Sequence, residues 1–319
     1  MPLLATNPPR TLMRRVGLNN SSRMSTLLVR YGELALKSPP VRREFERTLQ
    51  RNISAQFLAA GRTCRLRADH GHLYVESDDD TDAIRLVRRV FGVTSVSTVK
   101  EIPTTLEGIQ SHVTAWADPL LPPGSSFAVR ARRTGSHSFT SQELARDLGG
   151  RLMTQWPDRK LSVDLETPQV ELFVEVRGPR TYLYSSRVRG PGGFPLGVAG
   201  KVVALVDSPR GAVGAYLMMK RGCRVVFVTA GPGEDLVGAI LVHFDPKARV
   251  IPSAPSDAPE TVRALAGETH AEGVVLPLHV EQFPAARQVW GETVLFSPTI
   301  AFTDEEVDLR WQEIVELAG

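Results

Sequence analysis

The sequence predicts an α+β N-terminal half, made of a ferredoxin-like unit and a second α+β module, followed by a truncated α/β Rossmann-like domain. Three observations lead there. Apolar periodicities between residues 27 and 99 follow the order β-α-β-β-α-β, that of a ferredoxin-like unit. A β-branched run (Val202, Val203, Val206) then feeds a small-residue turn and a helical pattern, and strands and helices alternate afterwards, as in a parallel sheet. Charge also divides along the chain: 28 basic against 19 acidic residues through position 200, and 10 against 16 after it. The basic half is the candidate polyanion-binding face.

The chain has 319 residues, 42% of them hydrophobic, enough for two or three domains with ordinary cores. No apolar run reaches the roughly 18 residues that span a bilayer, so no membrane partner is expected. Cys64 and Cys223 lack a CxxC spacing and suggest neither a disulfide framework nor a zinc site. A soluble protein of the reducing cytoplasm is the expectation. Only six of the 38 basic residues are lysine. Nucleotide composition can account for that choice of arginine, but not for its segregation to one half.

Residues 1–24 carry arginines without an acid and show no sustained period. They read as a disordered or mis-assigned start, with an organelle-targeting sequence as the alternative. Residues 27–31 form a strand, and Pro39-Pro40 opens a helix whose Val41, Phe45, Leu49, Ile53 and Phe57 line one face until Gly61 ends it. A hairpin over 63–68 and 72–76, a helix over 81–90 and a strand over 93–99 complete the unit. The arginines at 42, 43, 47 and 51 suit either phosphate or a solvated face paired with Glu44 and Glu46. His70 and His72 read as turn residues, not metal ligands. A helix follows over 106–116.

The strongest nucleic-acid signal is the strand 127–133, with Arg130, Arg132 and Arg133, breaking into Thr134-Gly135-Ser136-His137-Ser138. Guanidinium forks bind phosphate bidentately, Ser136 and Ser138 supply small donors, and His137 or Phe139 can stack on a base. A basic strand alone is more often ordinary solvated surface. Ser141 is expected to cap a helix to Leu152, with Glu143 in its first turn. Strands over 172–176 and 181–185 carry Arg187 and Arg189 beyond their ends.

Three motifs carry a family resemblance: Arg30-Tyr31-Gly32-Glu33-Leu34-Ala35-Leu36-Lys37, Gly190-Pro191-Gly192-Gly193, and Gly200-Lys201-Val202 with Leu217-Met218-Met219-Lys220-Arg221-Gly222. From about residue 27 to 228 the chain resembles the tRNA 4-thiouridine synthetases (tRNA sulfurtransferases), which join a THUMP RNA-binding module to a PP-loop ATP pyrophosphatase of the adenine nucleotide alpha hydrolase-like class. The resemblance implies a ferredoxin-like domain over 25–101, a THUMP domain over 102–190 that holds the single-stranded 3′ end of tRNA, and a PP-loop-like domain over 191–319. It implies ATP and Mg2+ as cofactors, and its relatives suggest a homodimer.

The resemblance breaks at the adenylation loop. The family's Ser-Gly-Gly-x-Asp-Ser is here Val206-Asp207-Ser208-Pro209-Arg210-Gly211, without the paired glycines that let a backbone wrap pyrophosphate. Pro209 also removes an N–H donor. The nucleotide-binding candidates that remain are Lys201, Asp207, Ser208, Arg210 and Gly211. No cysteine follows Cys223 to act as the family's sulfur-carrying thiolate, and no rhodanese module is recognised, so sulfur is expected from an external sulfur donor protein or as sulfide.

Further strands are expected at 225–229, 250–251 and 273–276, and helices at 235–242 and 260–266. Gly231-Pro232-Gly233-Glu234 reads as a turn. Asp304, Glu305, Glu306 and Asp308 read as a helix start with Leu309 and Ile314 facing the core, or as a weaker Mg2+ alternative. Two functions stay open: a tRNA-binding protein with an impaired ATP loop and no catalytic residue, or an active ATP-dependent tRNA sulfurtransferase with a link to thiamine thiazole synthesis.

Overall fold

The computed structural model describes residues 24–32, 38–69 and 72–319. Residues 1–23, the 33–37 part of the first family motif, and His70 lie outside them. In the first unit β1 (Ser25–Tyr31) is followed by α1 (Pro39–Ala59), β2 (Arg65–Asp69), β3 (His72–Ser77), α2 (Asp80–Val87) and β4 (Val93–Pro103). The four-residue period of α1 buries Leu49, Ile53 and Phe57 against β1 and β3, while Val41 stays exposed at its start.

The next unit contains α3 (Leu106–Ala117), β5 (Ser126–Thr134), α4 (Ser141–Gln155), β6 (Ser162–Val163), β7 (Val170–Arg177), β8 (Arg180–Tyr184) and β9 (Val188–Arg189). Thr140, not Ser141, caps α4: its hydroxyl accepts from Glu143 N–H and Glu143 answers to the Thr140 N–H. Ser141 is thereby the first helical residue.

Among the described residues these strands make one nine-stranded sheet, ordered β2-β3-β1-β4-β8-β7-β5-β6, with β9 also on β4. Residues 93–99 of β4 pair with β1 and residues 100–103 pair with β8, both antiparallel. β4 therefore runs straight through the boundary expected at 101/102. Helices cover one face of the sheet as two cores, α1 and α2 over the first half, α3 and α4 over the second. On the other face Tyr74 stacks on Tyr182 and Phe173 on Tyr184, and arginines lie over the rings. Arg67 covers Tyr74, Arg30 covers Tyr184 and Arg187 covers Phe173, at 4.2 to 4.6 Å.

The C-terminal domain runs β10 (Lys201–Val206), α5 (Pro209–Lys220), β11 (Arg224–Thr229), α6 (Gly233–Ala239), β12 (Arg249–Pro252), α7 (Ala258–Glu268), β13 (Val274–Val275), α8 (Phe283–Trp290), β14 (Leu295–Phe296) and α9 (Asp304–Ala318). All five strands are parallel, ordered β12-β11-β10-β13-β14, so the winding reverses between β10 and β13. The helix after β10 begins at Pro209, because Ser208 caps it and proline suits the first helical position. Leu309 is 62% exposed and does not face the core; Val307, Ile314 and Ala318 do, two residues along the helix turning Leu309 to the side opposite Val307. β6, α8 and β14 gave no signal in the sequence, being two-residue strands and a short helix opened by proline.

The Gly190–Gly193 linker is laced to the start of β4: Gly190 N–H donates to Thr94 O, Gly192 N–H to Val93 O, and Gly92 N–H to Gly192 O. Gly193, at φ 72°, sits so close to the end of α5 that a Cβ would lie 2.1 Å from Lys220 O. Replacing Gly193 by Ala is expected to cost about 2 kcal/mol or more, read as a lower urea midpoint at unchanged slope.

A buried charge cluster locks the two halves of the large sheet. Glu175 on β7 receives Arg177 of the same strand, with Arg30 of β1 and His72 of β3 close by. Burial works to raise the Glu175 carboxyl, but the Arg177 hydrogen bond and the charges of Arg177, Arg30 and His72 hold it below its ordinary value near 4.5. A depressed carboxyl contributes stability above that value and loses it as pH falls through the lower folded pKa. Glu175→Gln is expected to cost about 3 kcal/mol at neutral pH. The gap to the wild type should close below pH 4.5; a gap constant with pH would show that the charge is not what matters.

Candidate nucleic-acid interface and the crevice of the parallel sheet

Alternation along β5 sends Phe127, Val129 and Ala131 to the helix-covered core and leaves Arg130 and Arg132 on the other side. The same period along β7 puts Phe173 and Glu175 opposite Leu172, Val174 and Val176. Arg130, Arg132 and Arg187 thus converge on one cavity of about 320 Å³, walled by Phe173 and Tyr184 and by Ser141 and Gln142 at the start of α4.

The three cations are held differently. Arg130 is braced by Glu171 (2.9 Å) and Leu165 O (2.8 Å). Arg187 lies on the Phe173 ring and donates to Tyr184 Oη (3.1 Å). Arg132 is exposed. The arrangement presents fixed, flat guanidinium groups with free donors beside aromatic rings, the chemistry that takes phosphate oxygens and an unstacked base together.

Arg133, near the end of β5, and Ser136, His137 and Ser138, on the turn that follows it, stand apart. Arg133 donates to Gly135 O, and His137 contacts Thr134 O and stacks on Phe139 at 5.6 Å. Arg189 lies farther off, in β9 opposite Ser95 of β4. Sequence reasoning missed Phe173, Tyr184, Ser141 and Gln142. The two-residue period of β7 contained the signal for Phe173; the others required the tertiary contact of β8 and α4 with β5.

At the carboxyl ends of β10, β11 and β13 lies a crevice of about 570 Å³, lined among others by Asp207, Ser208, Arg210, His279, Asp304 and Asp308. Open parallel sheets hold ligands at such a reversal point. Only Asp207 and Ser208 separate β10 from α5. The Ser208 hydroxyl accepts from Gly211 N–H (3.4 Å) and donates to the Asp207 carboxylate (2.8 Å). Gly233 packs on the end of β10, where a Cβ would sit 1.7 Å from Val206 O, so the β11–α6 turn narrows the crevice from the side.

Arg210 is buried and already committed. It donates to Thr299 O (2.6 Å), Phe302 O (2.9 Å) and Asp304 Oδ1 (2.8 Å), and this bond holds the Asp304 carboxyl below the usual carboxylate range. Lys201, expected beside the loop, begins β10 at its far end and donates to Thr269 O (3.3 Å). The length of the strand separates it from Asp207 by roughly 20 Å, so it does not reach the crevice. Cys223 is buried, its thiol in contact with Ala199 O and pushed up by burial, as an inert thiol would be.

Residues 26–97 match the ThiI ferredoxin-like domain and residues 103–186 the THUMP domain. A probable tRNA sulfurtransferase of Methanothermobacter thermautotrophicus is 39% identical over 211 residues, covering 63% of this chain and 51% of that protein. Another, from Saccharolobus solfataricus, is 41% identical over 210 residues, covering 64% and 53%. The chain spans about half the length of the curated relatives it matches.

Two solved structures share the fold. The crystal structure of PH1313 from Pyrococcus horikoshii superposes with a TM-score of 0.77 at 23% identity, over 91% of this chain and 99% of that one. A 4-thiouridine synthetase–RNA complex with bound ATP gives 0.75 at 20%, over 93% and 86%. The chain thus carries ThiI ferredoxin-like and THUMP domains in tandem, and over this stretch it is similar, at about two residues in five, to proteins named probable tRNA sulfurtransferases.

Proposed function

We propose that this protein binds tRNA, holding its single-stranded 3′ end in the cavity of Arg130, Arg132 and Arg187, and that its C-terminal crevice does not take a nucleoside triphosphate. The convergence of three guanidinium groups with Phe173 and Tyr184 on one cavity carries the first part. The names of the relatives and the RNA in the fold neighbour support tRNA as the nucleic acid. Arg133 at the end of β5 and the turn with Ser136, His137 and Ser138 then serve as an outer contact for the same strand.

The donor set supports the second part. A triphosphate needs free N–H groups and cations, whereas the crevice turns Asp207, Asp304 and Asp308 toward a ligand and keeps Arg210 for backbone carbonyls and Asp304. Mg2+ bound with ATP falls with it. The position of the crevice, at the reversal of the sheet in a fold shared with an ATP-bound relative, favours the second reading: an active sulfurtransferase supplied by an external sulfur donor protein, acting alone or as a homodimer.

Replacing Arg132 and Arg187 together by Ala should weaken tRNA binding about tenfold or more and reduce the salt slope by about two. Unchanged affinity and slope would remove the cavity from the interface, and equal affinity for tRNA trimmed at its 3′ end would argue against end capture. Incubation of the purified protein with Mg-ATP, with and without unmodified tRNA, is expected to yield no AMP or pyrophosphate; tRNA-dependent AMP would establish the second reading instead.

A further inference from the structure

We infer that a second surface, the groove between α1 and the C-terminal domain, grips the phosphodiester backbone of an RNA duplex. Two adjoining hollows of about 420 and 720 Å³ share Glu44, Arg51, Ala55 and Lys247 and form one groove along α1. Residues 44, 47, 51, 55 and 58 recur at three- and four-residue steps, so they share a helix face roughly 20 Å long. Four cations line the groove, Arg47, Arg51, Arg224 and Lys247, against the one carboxylate of Glu44.

Two of the cations are set and one is free to adapt. Arg51 is held by Glu44 Oε1 (2.8 Å) and Thr48 Oγ1 (2.7 Å), and Arg224 by Asp245 (2.8 Å) and Asn52 Oδ1 (3.3 Å). Lys247 is exposed, and among the described residues its ammonium has no hydrogen-bond or ion-pair partner. Gln50 and Ser54 add neutral donors suited to phosphate oxygens and 2′-hydroxyls.

The groove offers little for an unpaired base. Its one ring, Phe45, is engaged edge-on with Phe194 at 5.8 Å. Single-strand sites need stacking platforms, whereas a duplex keeps its bases inside and presents only backbone. Opposite faces of the nine-stranded sheet are involved: α1 packs on the helix-covered side, while Phe173, Glu175 and Tyr184 lie on the other. The groove therefore complements the cavity by gripping a paired stem while the cavity takes a free end, and it rests on the RNA-binding reading given above.

The test uses the full chain with two probes: a blunt RNA hairpin of about 16 base pairs and a short unpaired RNA. Arg51→Ala with Lys247→Ala should weaken hairpin binding about tenfold and lower its salt slope by about two, leaving the unpaired RNA unaffected. Lys247→Glu alone, at an exposed position that folding does not need, should weaken the hairpin in the same direction. Hairpin affinity and slope unchanged in both variants would overturn the inference, and so would a wild type that binds no hairpin. Loss of unpaired-RNA binding by Arg132→Ala with Arg187→Ala reports on the cavity alone, so either reading can fail while the other stands.

Discussion

One strand holds this molecule in register. β4 carries β1 on residues 93–99, β8 on residues 100–103 and β9 at Ser95 and Val96, so ladders from both N-terminal modules grow from one backbone. The linker to the third domain returns to the same place, hydrogen-bonded to Val93 and Thr94. Each backbone bond is modest in net energy, but a continuous ladder cannot slip by one residue without turning every side chain to the wrong face. Independent motion of the two N-terminal modules is therefore blocked by the sheet itself.

That constraint shapes the electrostatics. Both modules put their helices on one face; on the other face, among the described residues, arginines lie over the aromatic rings. Such stems bury apolar rings while keeping charge at the surface. Glu175 anchors the middle of this face, and its carboxylate offsets Arg30 and Arg177 without neutralising the surface beyond them. Arg132 and Arg187 stand at the rim with donors to spare.

The C-terminal domain uses its charges in the opposite sense. Arg210 ties residues 299–304 to the start of α5, while Arg88 and Arg89 of the first unit donate to Glu316 O and Gly319 O at the other end of α9. Cations at a helix C-terminus meet free carbonyls and the negative end of its dipole. α9 is thus strapped at both ends, and Asn52 and Gln56 of α1 donate to Leu196 O and His243 O to close the same interface. Phe91 packs with Tyr216 and Phe244 inside it. Arg210 thus spends its donors on architecture, beside the crevice carboxylates of Asp207, Asp304 and Asp308.

The sequence by itself determined the element order, the basic strand and the break at Val206–Gly211, since each is a local matter of period, charge or backbone freedom. A two-residue alternation located β5, a four-residue period located α1 and a β-branched apolar run located β10, because apolar burial follows the geometry of the element. What only the tertiary structure decided is which of those residues meet. Lys201 and Asp207 are neighbours in sequence and lie at opposite ends of a strand, while Arg132, Phe173 and Arg187 are far apart in sequence and share a cavity. Arg210, a phosphate-ligand candidate from the sequence, gives donors to the Thr299 and Phe302 carbonyls ahead of α9, and Leu309 turns outward while Val307 and Ile314 of the same helix face the core. Strand pairing and the packing of distant helices are long-range contacts, and no local pattern encodes their register.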